Sequence, residues 1–142
     1  MIAVVVMAHE GLAGALVQAG MALAGAQTSL YALDLMLDER AEAYAQRLEA
    51  LRTSVGECGL LMLCDLVGGT PQRVALASMR AGPAGASAGA EVAVVAGVNL
   101  GMLCEALLAR DRVDSVTELA RLAADAGGRQ IVSCARDGAP DD

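Results

Sequence analysis

Residues 2–7 read Ile-Ala-Val-Val-Val-Met, an unbroken apolar run closed by Ala8-His9-Glu10-Gly11. A run this short, rich in β-branched residues and without polar alternation, reads as a strand covered on both faces. That single reading decides the fold class, because a strand buried on both sides needs helices above and below its sheet. Leu60 to Cys64 repeats the pattern, and Glu91 to Ala96 supplies another such run. Ser29 to Leu35 is a weaker strand, taken to end at Asp34. Between the strands, Leu12, Leu16, Ala19 and Leu23 fall at helical spacing. Asp38 is placed to cap a helix carrying Ala41, Tyr44, Ala45, Leu48 and Leu51, whose interleaved Glu and Arg residues read as a solvated face. A further helix is expected from the Gly68-Gly69-Thr70-Pro71 turn to about Arg80. Asn99 caps the next, with Leu100, Leu103, Leu107 and Leu108 on one face. Ser115 and Glu118 make a capping-box pattern for the last, closed by Gly127-Gly128. Gln130 to Cys134 is a short final strand candidate. Regular alternation of apolar strands with helical crossovers implies a doubly wound α/β fold with a mainly parallel sheet, order 2-1-3-4, and helices on both faces.

The chain has 142 residues, enough to bury roughly 70% of its unfolded surface without disulfides or metal. Residues 1–135 are expected to form one domain. Gly82 to Ala90, built of Gly, Ala, Ser and one Pro, reads as a mobile loop, and 136–142 as a disordered acidic tail. The composition is 56% hydrophobic but 1% aromatic, with two Tyr and neither Phe nor Trp, so the core must be aliphatic. A net charge of −7 argues against nucleic-acid binding, which needs a basic surface, and the lack of rings argues against stacking on single strands. Mean hydropathy is +0.50, yet no stretch of about 18 uninterrupted apolar residues supports a spanning helix. The N-terminus lacks the basic flank of a secretory signal, so a cytoplasmic location is expected. Cys58, Cys64, Cys104 and Cys134 are irregularly spaced, form no CxxC pair, and read as small buried thiols. With one histidine in the chain, no usual zinc set is available and no metal or other cofactor is expected.

In open α/β sheets the ligand crevice lies beyond the carboxyl ends of the strands, where strand order reverses. For order 2-1-3-4 that point lies between the first and third strands. His9 follows the first and Asp65 the third, so the two are expected to face each other across the crevice. A carboxylate that accepts from one ring nitrogen sets the tautomer and leaves the other nitrogen free to attack. Gly68 and Gly69 permit a tight turn whose N–H groups can converge on an anion. Thr70 as N-cap and Pro71 as first helical residue would open a helix whose N-terminus favours phosphate. Taken singly, each part has an ordinary structural reading: a polar residue after a strand, a turn-forming Asp, a common Gly-Gly turn. Their joint placement suggests phosphohistidine chemistry. Neither GxxxxGK[ST] nor a GxGxxG after the first strand is present.

Four segments resemble the mannose/fructose/sorbose-type enzyme IIA component (EIIA type-4) of the bacterial phosphoenolpyruvate-dependent sugar phosphotransferase system (PTS). They are IAVVVMAHEGLAGAL, LMLCDLVGGTP, VVAGVNLGMLCEALLAR and ELARLAADAGGRQI, in family order and spanning most of the chain. The resemblance implies that His9 accepts a phosphoryl group from the phosphocarrier HPr and passes it to a histidine of a IIB component, for sugar uptake and phosphorylation. It implies that Asp65 orients His9 and that Gly68, Gly69 and Thr70 hold the phosphate. It further implies a homodimer exchanging the strand Gln130 to Cys134, peripheral to a membrane permease at most. No IIB segment follows within the 142 residues, so the chain reads as a free-standing IIA. Five residues at three places depart from the family pattern. Ala8-His9-Glu10 replaces Thr-His-Gly, Pro71-Gln72-Arg73 replaces Pro-Phe-Asn, and Gly101 replaces a proline. Other readings are a regulatory carrier without its own permease, the phosphotransferase subunit of dihydroxyacetone kinase, and a binding module without turnover. The AGVN segment favours the mannose type over the dihydroxyacetone kinase relative.

Overall fold

Val4, Val5 and Val6 are wholly inaccessible to solvent, as both-face burial requires. Each such side chain contributes about 1.5–3 kcal/mol on burial, which makes the first strand the centre of the molecule. The computed structural model describes residues 1–82 and 90–136. In chain order the elements are β1 (Ala3–His9), α1 (Leu12–Ala24), β2 (Leu30–Leu35), α2 (Ala41–Val55), β3 (Leu60–Cys64), α3 (Thr70–Ala81), β4 (Val92–Ala96), α4 (Leu100–Ala109) and α5 (Val116–Arg129). The four strands form one sheet in the order β2-β1-β3-β4, and every neighbouring pair is parallel. This is the doubly wound α/β fold expected from the apolar runs.

Strand pleating splits the core in two. Val4, Val6, Ala8, Leu61 and Leu63 point to the layer of α1, α4 and α5, where Leu103, Ala106, Leu119 and Ala123 meet them. Ala3, Val5, Met7, Leu60, Met62 and Cys64 point to the layer of α2 and α3, against Tyr44, Leu48, Val74 and Ala75. Tyr44 is one of the two tyrosines in the chain. It is fully buried and its hydroxyl donates to Leu33 O at 2.6 Å, which satisfies the polar end of an otherwise apolar contact. Burial raises its pKa well above the ordinary phenol value. The ends of the sheet are fastened by Arg110, which is 3% exposed and donates to the carbonyls of Ile2, Thr28 and Ser29 and to Gln27 Oε1.

Several local expectations are corrected. Within a single chain Gln130 to Cys134 pairs with no strand of its own sheet: Gln130 caps the C-terminus of α5, and 131–135 have no regular structure. Gly127 and Gly128 lie inside α5 instead of ending it. A Cβ on Gly127 would stand 2.7 Å from Met102 Cε and 3.0 Å from Met102 Cβ, so Gly127 serves the close approach of α4 and α5. The N-cap of α2 is Arg40, with no side-chain cap, so Asp38 is not used. The N-cap of α3 is Gly69, which places Thr70 and Pro71 one position further inside than expected. β2 runs one residue past Asp34. Leu108 is 53% exposed, because α4 packs through Met102, Leu103, Ala106 and Leu107, and Leu12 and Leu23 are exposed because the packed face of α1 is Ala13, Leu16, Val17 and Gly20. Arg52 leaves the charged face of α2 and turns inward, donating to Ser78 O and Oγ on α3. Of the four cysteines, all free, Cys64 alone is fully buried, while Cys58 and Cys134 are exposed. Asn99 and Ser115 cap α4 and α5 as expected, accepting from Met102 N and Glu118 N. The expected loop at Gly82 to Ala90 falls largely, and the tail after Arg136 wholly, outside the described residues.

Candidate functional site

The last residues paired between β1 and β3 are Met7 and Cys64; Asp65 follows β3 directly, and His9, two residues after Met7, is the last residue of β1 and still pairs with Leu35 of β2. Between β1 and β3 the parallel ladder ends here, and a side chain continues it. Asp65 Oδ2 accepts the backbone N–H of His9 at 2.9 Å and also meets His9 Nδ1 at 2.8 Å. Asp65 Oδ1 accepts from the N–H of Leu66 at 2.8 Å. The carboxylate is therefore held from three directions and is 8% exposed, whereas the imidazole is 41% exposed. Burial pushes the Asp65 pKa up. The hydrogen bonds from the His9 backbone, the His9 ring and the Leu66 backbone, with the charge on His9, outweigh that and hold it below the usual carboxylate value. A charged acceptor at Nδ1 favours the tautomer with the proton on that nitrogen and leaves the Nε2 lone pair free.

The glycine turn also approaches the ring. A Cβ on Gly69 would come within 3.2 Å of His9 Cε1, the atom between the two ring nitrogens, so an unsubstituted residue lets the loop approach the imidazole. Gly68 has φ of 77°, a left-handed conformation that suits glycine. From here α3 begins. The N–H groups of Thr70 and Gln72 lie in its first turn, where a helix provides no acceptor of its own. Arg73 donates to Thr70 Oγ1 at 3.1 Å, and Gln72 Oε1 accepts from Gly68 N at 2.6 Å. All five residues singled out from the sequence, His9, Asp65, Gly68, Gly69 and Thr70, thus belong to one end of the sheet.

Two positions acquire a meaning that spacing could not supply. Asp34, at the end of β2, accepts from the N–H groups of Ala13 and Gly14 at 2.8 and 3.1 Å. Its carboxylate takes two of the first-turn N–H groups of α1, which disfavours an incoming anion there and leaves the start of α3 the better place for one. The available signal was an acidic residue at the end of the strand next to β1. Glu10 has φ of 53° and its N–H donates to Leu35 O at 2.8 Å. The sharp exit from β1 needs this left-handed conformation, which explains why a glycine suits the position. The Glu10 side chain is exposed, and among the described residues no ion pair joins it to Arg73.

The surroundings of His9 are open and apolar. Leu12, Met36, Leu37, Leu66 and Val67 follow the carboxyl ends of β1, β2 and β3, and all are exposed, Leu37 and Val67 by 88% and 80%. The concavity between α2 and α3, about 690 Å³, reaches Thr70 and Arg73 at one end. Another, about 720 Å³, lies at the opposite end of the sheet around Arg110. Burial pushes the neighbouring Cys64 thiol up to about 12, with the Asp65 charge adding to the shift, so this cysteine is no competing nucleophile. Among the described residues no group of three or more His, Cys, Asp and Glu is disposed to hold a metal ion, and no helix is long and apolar enough to cross a membrane.

Fold and site together define an open-sheet α/β protein with an imidazole–carboxylate pair at the switch point of its strand order. Residues 3–123 match the EIIA-man family, described as the PTS system fructose IIA component, and the chain belongs to that family. It is thus a member of the phosphotransferase system. Similar solved structures agree with the fold. The phosphotransferase system component EIIA from Streptococcus agalactiae has a TM-score of 0.84 at 24% identity, covering 94% of this chain and 97% of its own. The mannose/sorbose specific IIA subunit from Enterococcus faecalis has a TM-score of 0.82 at 25% identity, covering 96% and 97%. The PTS IIA protein associated with the fucose utilization operon of Streptococcus pneumoniae has a TM-score of 0.67 at 22% identity, covering 87% and 89%. A search of curated proteins gives no match.

Proposed function

We propose that this chain is a histidine phosphocarrier, taking a phosphoryl group on His9 Nε2 from an HPr-like protein and passing it to a IIB component. The observation that carries this reading is the 2.8 Å contact between His9 Nδ1 and Asp65 Oδ2, with Gly69 close to Cε1 between the two ring nitrogens. In the forward step the P–N bond of the donor's phosphohistidine breaks as a new P–N bond forms to Nε2. The donor imidazole leaves with its electron pair. The His9 ring, still protonated on Nδ1, gains positive charge, and the buried Asp65 carboxylate stabilises it. The same step reversed delivers the group to the acceptor histidine, so no general acid is required in either direction. Gly68, Gly69 and Thr70 receive the phosphoryl oxygens at the start of α3, where the partial positive charge of the helix favours them.

The exposed imidazole and the collar of Leu12, Met36, Leu37, Leu66 and Val67 suit a protein donor better than a small molecule, since a large apolar contact can be buried only against another macromolecule. Such a carrier works in the cytoplasm, and residues 1–135 act as its single domain. A homodimer belongs to the same reading. β4 is an edge strand, and Ile131 and Val132 are 82% and 63% exposed directly after α5, so an edge on one copy and an apolar segment on another are available to pair. Incubation with enzyme I, HPr and phosphoenolpyruvate is expected to add one acid-labile phosphate, read by intact mass. Absence of the label, or equal labelling of His9→Ala, would sink the reading.

A further inference from the structure

The loop that faces His9 already holds a ligand of its own. Gln72 lies in the first turn of α3, and its side chain turns back to the turn that precedes its helix. Its Oε1 lies 2.6 Å from the N–H of Gly68. Since that N–H can only donate, the atom facing it must be the carboxamide oxygen. One donor of the glycine turn is therefore occupied by an uncharged oxygen, in the manner of a phosphoryl oxygen. Gln72 is held to nothing else among the described contacts, and Gly68 is exposed, so the bond can open without disturbing the core. Arg73, the next residue, is differently engaged, through Thr70 Oγ1, and leaves Gly68 to Gln72 alone.

We propose that Gln72 is a built-in competitor for the phosphate loop, closing the Gly68 amide in the unphosphorylated protein and yielding it when a phosphoryl group arrives on His9. This rests on the phosphocarrier reading and adds to it a residue that sets how tightly this chain retains the group. A competitor makes the phosphorylated form less favourable, so the chain gives up its phosphoryl group more readily than one with an apolar residue at the position. A plain helix cap has the opposite consequence: its removal loosens the turn and weakens the hold on phosphate.

The sign of the effect separates the two. With phospho-HPr and HPr in fixed ratio, Gln72→Ala is expected to raise the equilibrium ratio of phosphorylated to free protein by about 2- to 10-fold, the range of one hydrogen bond. Gln72→Glu keeps an acceptor for Gly68 but adds charge, and is expected to lower the ratio by at least as much. The Gly68 amide resonance in the wild type should shift on phosphorylation, and should sit near its phosphorylated position in neither variant before phosphate is added. A parallel titration with inorganic phosphate, followed at the amides of 68–72, needs no donor protein. Gln72→Ala should bind phosphate 2- to 10-fold more tightly than wild type. If wild type takes no label from HPr, the carrier reading fails and this titration still decides the role of Gln72. Equal or weaker phosphate binding by a folded Gln72→Ala, or a ratio moved in the same direction by both variants, overturns the proposal.

Discussion

At His9 a single carboxylate does two things that are usually separate. Asp65 Oδ2 extends the ladder by accepting the His9 N–H, and the same oxygen fixes the ring through Nδ1. Backbone position and tautomer are therefore coupled, and removing the charge should disturb both. Asp65→Asn is expected to slow phosphorylation on the order of 100-fold or more while the protein stays folded, because misassigned ring protons are costly when the attacking lone pair is lost. Wild-type transfer rates in that variant would refute the orienting role. The same residue shapes acid stability. Its folded pKa lies below the ordinary value of 3.8, so the folded state binds fewer protons and the contribution is complete above that value. It is lost as pH falls below about 4 and through the folded pKa, and Asp65→Asn should flatten this part of the stability profile measured by urea unfolding. His9 and Asp65 were named from the sequence because each closes an apolar run, and Gly68, Gly69 and Thr70 because they form a turn that opens a helix. What spacing could not reveal is that Gln72 meets Gly68 and that Asp34 takes two donors of the neighbouring helix, since both depend on side chains crossing between elements.

Helices show the same division. Asn99 and Ser115 could be recognised as caps because a cap acts within one turn of its own helix. Gly127 could not be understood that way. The sequence pattern of paired glycines after an amphipathic stretch is that of a helix end, but here the helix continues because Gly127 is pressed against Met102 of α4. Asn99 adds to this contact by donating from Nδ2 to Gly127 O at 2.9 Å. The two glycines should therefore respond oppositely to alanine. Gly128→Ala meets open space and should stabilise by about 0.5–1 kcal/mol through helix propensity. Gly127→Ala forces α4 and α5 apart and should destabilise by about 1–2 kcal/mol net. Thermal and urea unfolding of the two variants would show it, and a matching gain in both would mean that the helix pair is not tightly packed. Arg52 makes a similar point: its position in an alternating charged sequence reads as surface, whereas its guanidinium fastens α2 to α3 through Ser78.

For the whole molecule, the open question is what covers the edge of β4 and the apolar segment after α5. Two copies that exchange this segment would bury both, and light scattering is expected to show a dimer. Deleting 130–142 should shift it toward monomer; a wild-type monomer, or a dimer unchanged by the deletion, would remove strand exchange. Parallel strand order was readable because β3, and β1 as far as Ala8, have no polar residue to give to solvent, and burial on two faces leaves few architectures. Membership of the EIIA-man family was likewise readable, because the turn after β3 and the AGVN segment are local strings. Local strings report what a residue does within one or two turns of chain, and so the four strands, the caps of α4 and α5 and the histidine with its carboxylate were determined by the sequence alone. Only the tertiary structure decided where Arg52 turns, why Gly127 is small, which helix N-terminus is the better place for an anion and which oxygen holds Gly68. Each of these is settled by close packing or by a hydrogen bond between elements, and such contacts exist only once the layers have come together.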